Sequence, residues 1–241
     1  MIYYMNEIKE FINKNDEWLL SNSFFLMHDI ERLRKFLVRS EYFRMVLDIP
    51  GDIVELGVMK GVGLAQFLKL REIFIPGTNK KVVGFDLFSK SNFNITNEDL
   101  KNLENHYIEC NIDKNTGINT NEISYFFDNM KLTNNRMVED VGVYELVEGD
   151  IMKTIPEYLK KNPGFRISFL YLDMDVEEPT LFALEQLYDR LVRGGIIVFD
   201  EYAVEEWGES NAVDNFLKKH KELEIKTLTW ARTPTAYIIK K

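Results

Sequence analysis

Apolar residues recur along this chain with two alternating periods. Residues 1 to about 48 carry the helical one: in ERLRKFLVRSEYF, Leu33, Phe36 and Leu37 fall three and four apart, on one helix face. Pro50 and Gly51 stop that pattern and turn the chain. A short apolar run at 53–57 (IVELG) then reads as a strand, and after a glycine-rich turn residues 64–74 read as a helix. Residues 81–86 (KVVGFD) form a second strand signal, ending on a carboxylate. The alternation resumes with strands at 143–148, 167–173 (ISFLYLD) and 196–200, the last opened by Gly194 and Gly195. Helices are predicted between and after them at 151–160, about 180–191 and 212–220. Two final strand-like runs, 223–229 and 236–240, flank a turn at 232–235 and read as a hairpin.

Strands alternating with helices predict an α/β fold of Rossmann-like type. Its sheet is mostly parallel, with right-handed crossovers, helices on both faces and one antiparallel strand added by the closing hairpin. No repeat and no low-complexity linker divides residues 1–241, so a single domain is expected, with 1–48 as a helical N-terminal extension. Residues 87–142 break the rhythm. They are rich in Asn, Asp, Glu and Lys, carry short helical signals near 98–107 and 122–130, and are too long for an ordinary connection. A lid or substrate-binding insertion is expected there, more mobile than the sheet, and such a lid could also pack across a homodimer.

Composition narrows the function. Hydrophobic residues at 45% and charged residues at 29% suit a soluble domain with a sizeable core, and no apolar run approaches the ~20 residues that cross a bilayer. The polar start, MIYYMNEIKEFINKND, does not read as a signal peptide, and the lone Cys110 fits a reducing compartment, so a cytoplasmic protein without membrane partners is expected. The formal charge of −9 comes with no basic stripe. That disfavours a nucleic-acid substrate and favours a small molecule.

The candidate chemistry gathers at predicted strand ends. Gly57, Gly61 and Gly63 sit in VELGVMKGVG, between strand and helix, where glycine lets the backbone turn tightly and approach a ligand. The spacing is not the G-x-G-x-x-G of dinucleotide enzymes, which argues against a nucleotide-dependent oxidoreductase. Glu55 precedes the first glycine. Asp86 closes the next strand, where a carboxylate can accept both hydroxyls of a ribose, or instead cap a helix. Asp150, in Glu148-Gly149-Asp150, could accept from an adenine amino group or cap the helix starting at Ile151. Asp173 and Asp175 (YLDMD) and Asp200 and Glu201 (VFDEY) lie at or just past two more strand ends. Clustered acids repel unless a proton or cation intervenes, and three carboxylates make a hard-oxygen site suited to Mg²⁺. Helix capping or pairing with Lys or Arg is the plainer alternative. His28, His106 and His220 share no metal-ligand spacing, and Trp207 and Trp230 read as packing residues. The complete acid set argues against a non-catalytic domain that has kept only the fold.

In order, IPGDIVELGVMKG (49–61), VVGFDLF (82–88), VEGDIMKTIP (147–156), LYLDMDVEEPTLFALEQLYDRLVRGGIIVFDEY (170–202) and AVDNF (212–216) resemble the macrocin O-methyltransferase family. The resemblance implies a class I methyltransferase fold with a seven-stranded sheet, S-adenosylmethionine as methyl donor, Mg²⁺ as the metal, and a sugar hydroxyl as acceptor. It implies that Glu55, Gly57 and Gly61 form the cofactor loop, Asp86 holds the ribose and Asp150 meets the adenine. Asp173, Asp200 and Glu201 fall on the family's metal ligands, with Asp173 also beside the cofactor and a candidate general base. Two departures stand out. The family usually has Asp-Asp-Tyr where this chain has Asp200-Glu201-Tyr202, and Tyr-Glu-Ser-Thr where it has Glu177-Glu178-Pro179-Thr180. The first bears on metal affinity and the second on the acceptor, for which a small phosphorylated or carboxylated metabolite is the alternative to a sugar.

Overall fold

In a computed structural model of the chain, residues 22–27, 29–88, 120–133, 136–137 and 143–241 are described, together with positions 19 and 101. The elements are helices α1 (Ser23–Met27) and α2 (Ile30–Arg44), strand β1 (Asp52–Leu56), α3 (Val62–Phe74) and β2 (Val82–Asp86). The insertion contributes α4 (Thr120–Asp128), β3 (Lys131–Thr133) and β4 (Arg136–Met137). Then follow β5 (Tyr144–Glu148), α5 (Ile151–Lys161), β6 (Ile167–Leu172), α6 (Glu177–Leu187), β7 (Leu191–Phe199), α7 (Glu209–Lys219), β8 (Ile225–Lys226) and β9 (Ala236–Ile239). Seven strands form one sheet in the order β5-β2-β1-β6-β7-β9-β8, while β3 and β4 make a separate antiparallel pair. All neighbours from β5 to β7 are parallel, and β9 runs antiparallel to both β7 and β8, as the hairpin signal predicts.

The strand order puts β1 and β6 at the centre, and every residue of β6 is buried. That is why 167–172 reads as an unbroken apolar run. Alternate residues feed two cores. Val54, Leu56, Leu170 and Leu172 face one with α5, α6 and α7, whereas Ile53, Phe169 and Tyr171 face the other with α2, α3 and α4. In that second core Phe67 touches Phe43, Phe169 and Tyr171. Truncating such a ring costs about 3–5 kcal/mol.

Three expectations shift in detail. Helix α2 is capped by Asp29, which accepts from the Glu31 and Arg32 N–H groups at 3.1 Å. It buries Val38, Arg39, Tyr42 and Phe43, whereas Leu37 is 53% exposed, so the buried face is displaced from the Leu33-Phe36-Leu37 stripe. A buried arginine hides that face from a purely apolar reading. Helix α6 starts at Glu177, before Pro179, and ends at Leu187 in a short 3₁₀ turn. Strand β7 begins at Leu191; Gly194, at φ +80°, passes the bend within it, where the pairing with β6 also shifts register.

Within the insertion, α4 is part of the core: Ile123 and Phe127 are buried, and the Phe127 ring stands edge-on to Tyr144 at 5.3 Å. Apart from position 101, the predicted helix at 98–107 and the other residues of 87–142 not named above lie outside the described residues, as do residues 1–18. Among the described residues no helix is long and apolar enough to cross a membrane.

Candidate active site

Two walls of polar groups meet at the carboxyl edge of the sheet, and Gly57 joins them. The first wall is the turn from β1 to α3. Gly57 and Gly61 adopt φ of +89° and +80°, a region costly for residues with a Cβ. A Cβ on Gly57 would stand 1.8 Å from the Asp173 carbonyl oxygen, and one on Gly61 2.9 Å from the Phe127 ring. Asp86 ties this turn to the end of β2. Its Oδ2 accepts from the Met59 N–H at 2.7 Å and its Oδ1 from the Phe88 N–H at 3.0 Å. Each carboxylate oxygen has two lone-pair sites, so one remains on each for a further donor such as a ribose hydroxyl.

Asp150 stands beside this wall, because the Gly149 N–H donates to the Asp86 carbonyl at 2.9 Å. It caps α5, accepting from the Met152 N–H at 3.0 Å. The capping reading is therefore realised, and its second oxygen lies 3.8 Å from Lys153 Nζ. Glu55 sits beneath the turn rather than in it. It is 1% exposed, and a Cβ on Gly63 would meet its Oε1 at 1.9 Å. Burial pushes its carboxyl up to about 8 despite nearby Arg39, and Oε2 has no hydrogen-bond partner among the described residues.

The second wall is a set of acids neutralised by α2. Lys35 and Arg39, one turn apart, reach across to the ends of β6 and β7. Lys35 Nζ donates to Asp200 Oδ2 at 2.6 Å and lies 3.7 Å from Asp173 Oδ2. Arg39 donates to Asp173 Oδ2 at 3.1 Å, to Tyr171 Oη at 2.8 Å and to Gln66 Oε1 at 3.0 Å. The Tyr171 hydroxyl donates to Asp200 Oδ1. Burial alone would raise Asp200, but Lys35 and Arg39 outweigh it and hold the carboxyl below its usual range. Burial and then Asp200 push Asp173 up to about 6, against the pull of the same two cations. Burial lifts Glu201 to about 9, with Asp200 and Asp175 adding to it, and it lifts Asp175 and Glu209 well above the carboxylate range. Glu209, wholly buried at the start of α7, accepts from the Glu201 N–H at 2.9 Å. Sequence reasoning missed Lys35, Arg39, Tyr171 and Glu209. The Lys-x-x-x-Arg spacing ahead of Tyr42 was the available signal for the first two.

Among the described residues no three His, Cys, Asp or Glu side chains are grouped to hold a metal ion. The chemistry of the donor set nonetheless fits a hard cation. Among the described residues, Asp173, Asp175, Asp200, Glu201 and Glu209 form a set of five carboxyls. Lys35 acts as a counter-charge on the first four and Arg39 on Asp173 and Asp200, and four of the five are shifted towards the neutral form.

The family model for macrocin O-methyltransferase (TylF) matches residues 25–231, taking in both walls and helix α2. The chain belongs to the macrocin O-methyltransferase family. This methyltransferase is similar in structure to CalS11, a calicheamicin methyltransferase, at a TM-score of 0.75 and 25% identity over 98% of this chain and 90% of that one. An apo structure of CalS11, described as a TDP-rhamnose 3'-O-methyltransferase of calicheamicin biosynthesis, matches at 0.67 and 26% identity over 98% and 92%. The O-methyltransferase NovP matches at 0.65 with 20% identity over 86% and 80%, a likeness of fold. A search of curated proteins found no significant match. The methyltransferase thus uses S-adenosylmethionine as donor and an oxygen as acceptor, and its sheet is that of the class I enzymes.

Proposed function

We propose that the enzyme methylates a hydroxyl of a sugar or sugar conjugate in a biosynthetic pathway. One observation carries this reading: Gly57 packs on the Asp173 backbone, setting the cofactor turn directly against the acid wall. Methyl transfer is an in-line displacement at the sulfonium carbon, so the protein's work is to align the two reactants. Asp86 would hold the ribose while it anchors Met59, Asp150 would accept from the adenine amino group, and the 57–61 turn, with Glu55 beneath it, would shape the methionine end. Asp173 takes the proton from the acceptor hydroxyl as the O–C bond forms and the methyl–sulfur bond breaks to release S-adenosylhomocysteine, and Arg39 fixes its carboxylate for that task. Asp173, Asp200 and Glu201 would hold a Mg²⁺-like ion, which when bound lowers the pKa of the acceptor hydroxyl. The sugar acceptor is supported by family membership and by the likeness to CalS11, whose own substrate is a nucleotide-linked rhamnose. A formal charge of −9 supports a small molecule over a nucleic acid.

The test is transfer of labelled methyl groups to a panel of nucleotide-linked sugars, glycosides, and phosphorylated or carboxylated metabolites lacking a sugar. Label on a sugar oxygen is expected. Turnover confined to the non-sugar acceptors would overturn the reading.

A further inference from the structure

The acid wall already contains a cation that a metal would have to meet. Lys35 Nζ stands between the two carboxylates that follow β6 and β7, 2.6 Å from Asp200 Oδ2 and 3.7 Å from Asp173 Oδ2. An ammonium and a hard divalent ion make the same demand, oxygen donors at close range. The two α2 cations that reach the acid wall are not held alike. The Arg39 guanidinium is fixed from several sides, by Tyr171, Gln66 and Asp173, and lies 4.8 Å over the Tyr171 ring. Lys35, among the described residues, makes its polar contacts only with Asp173 and Asp200, and its side chain is 20% exposed. A compact charge on a flexible four-carbon stem with access to solvent can leave its place, whereas a stacked and buried fork cannot.

We infer that Lys35 is a displaceable stand-in for the divalent ion: it holds Asp173 and Asp200 together without metal, and a metal bound by that pair must first expel its ammonium. The inference rests on the reading of these acids as metal ligands. Arg39 keeps its place throughout and positions Asp173 in both states. Lys35 therefore sets how tightly the site takes a metal.

Mn²⁺ titrated into the full-length protein, with free ion followed by electron paramagnetic resonance, tests this. Lys35→Met, which keeps the length of the stem and removes the charge, should bind Mn²⁺ at least about tenfold more tightly than the wild type. Equal or weaker binding by the variant would overturn the displacement while leaving the acids as ligands. Binding by neither protein would overturn both. A second measurement needs no variant. Saturating Mn²⁺ should speed reductive methylation of the Lys35 amine in the wild type, read by mass spectrometry, and an unchanged rate would overturn the inference. S-adenosylmethionine affinity, measured on the same samples by calorimetry, reports separately on the methyltransferase reading.

Discussion

Gly57 lies so close to Asp173 that the glycine's missing Cβ is what lets β1 and β6 deliver the 57–61 turn, the proposed cofactor loop, and the proposed base to one point. The contact is backbone to backbone, so no side-chain rotation can relieve a substitution. The N–H of Asp173 also donates to the Leu56 carbonyl at 2.9 Å, fixing the approach from the other direction. Gly57→Ala should therefore lose stability and S-adenosylmethionine binding together. The positive φ alone costs roughly 1–3 kcal/mol, and a domain of this size loses roughly 2–4 °C in Tm per kcal/mol. Calorimetric unfolding with a cofactor titration checks this; wild-type Tm and affinity would show that the turn yields more easily than the backbone contact implies.

At Asp86 the proposed cofactor contact can be separated from folding. Its two oxygens hold Met59 and Phe88 N–H groups, and a ribose would add charge-assisted hydrogen bonds worth roughly 1.5–3 kcal/mol each. Asp86→Asn keeps the shape and part of the anchoring while removing the charge. Its affinity for S-adenosylmethionine should fall by about tenfold or more, with a much smaller change in Tm. A folded variant that binds as tightly as the wild type would leave Asp86 as a loop anchor only.

Glu55 gives the enzyme a pH signature. Its carboxyl is raised in the folded protein to about 8, chiefly by burial, while the unfolded chain titrates it near the ordinary 4.5. Below about 4.5 both states are protonated and the group contributes nothing to the difference. Between about 4.5 and 8 the unfolded state binds fewer protons, so stability falls as pH rises. Glu55→Gln should flatten that slope relative to the wild type and gain stability on the alkaline side, on the order of a few kcal/mol. Denaturant midpoints at pH 5 and pH 8.5 for both proteins supply the comparison, and parallel curves would mean that Glu55 is ionised when folded.

The acids were legible in the sequence because strands announce their own ends: KVVGFD, ISFLYLD and IIVFD each stop on a carboxylate, and parallel pairing brings those ends to one edge. Their counter-charges were not. Lys35 lies 165 positions from Asp200 and Arg39 134 from Asp173, and nothing local in ERLRKFLVR says that α2 folds its basic face against the sheet edge. Glu209 escaped for a related reason. A glutamate in a helix's first turn reads as a favourable surface charge at the dipole, whereas here it is buried against the Glu201 backbone. Apolar periodicity finds the core, but a polar side chain buried by a distant partner leaves no period.

The same limit applies to the insertion, whose polar composition predicts a loose lid while part of it is core. Phe127 is fully buried, meets Tyr144 edge-on and sits against Gly61, and the Tyr144 hydroxyl donates to Asp128 Oδ1 at 2.6 Å, clamping α4 to the edge strand β5. Helix α4 thus packs as a roof over the 57–61 turn, the proposed cofactor loop. Phe127→Ala should cost about 3–5 kcal/mol, the usual range for truncating a buried ring. Because the ring lies 2.9 Å from where a Gly61 Cβ would be, its loss should also free the turn and weaken S-adenosylmethionine binding. Phe126→Ala, one residue away and 62% exposed, is the control and should leave both properties within experimental scatter. Hydrogen exchange locates the effect: amides of α4 and of 57–61 should speed up in Phe127→Ala, while those of β6 keep their rates. Exchange in wild-type α4 as fast as in an unfolded peptide would mean that this helix is a lid after all.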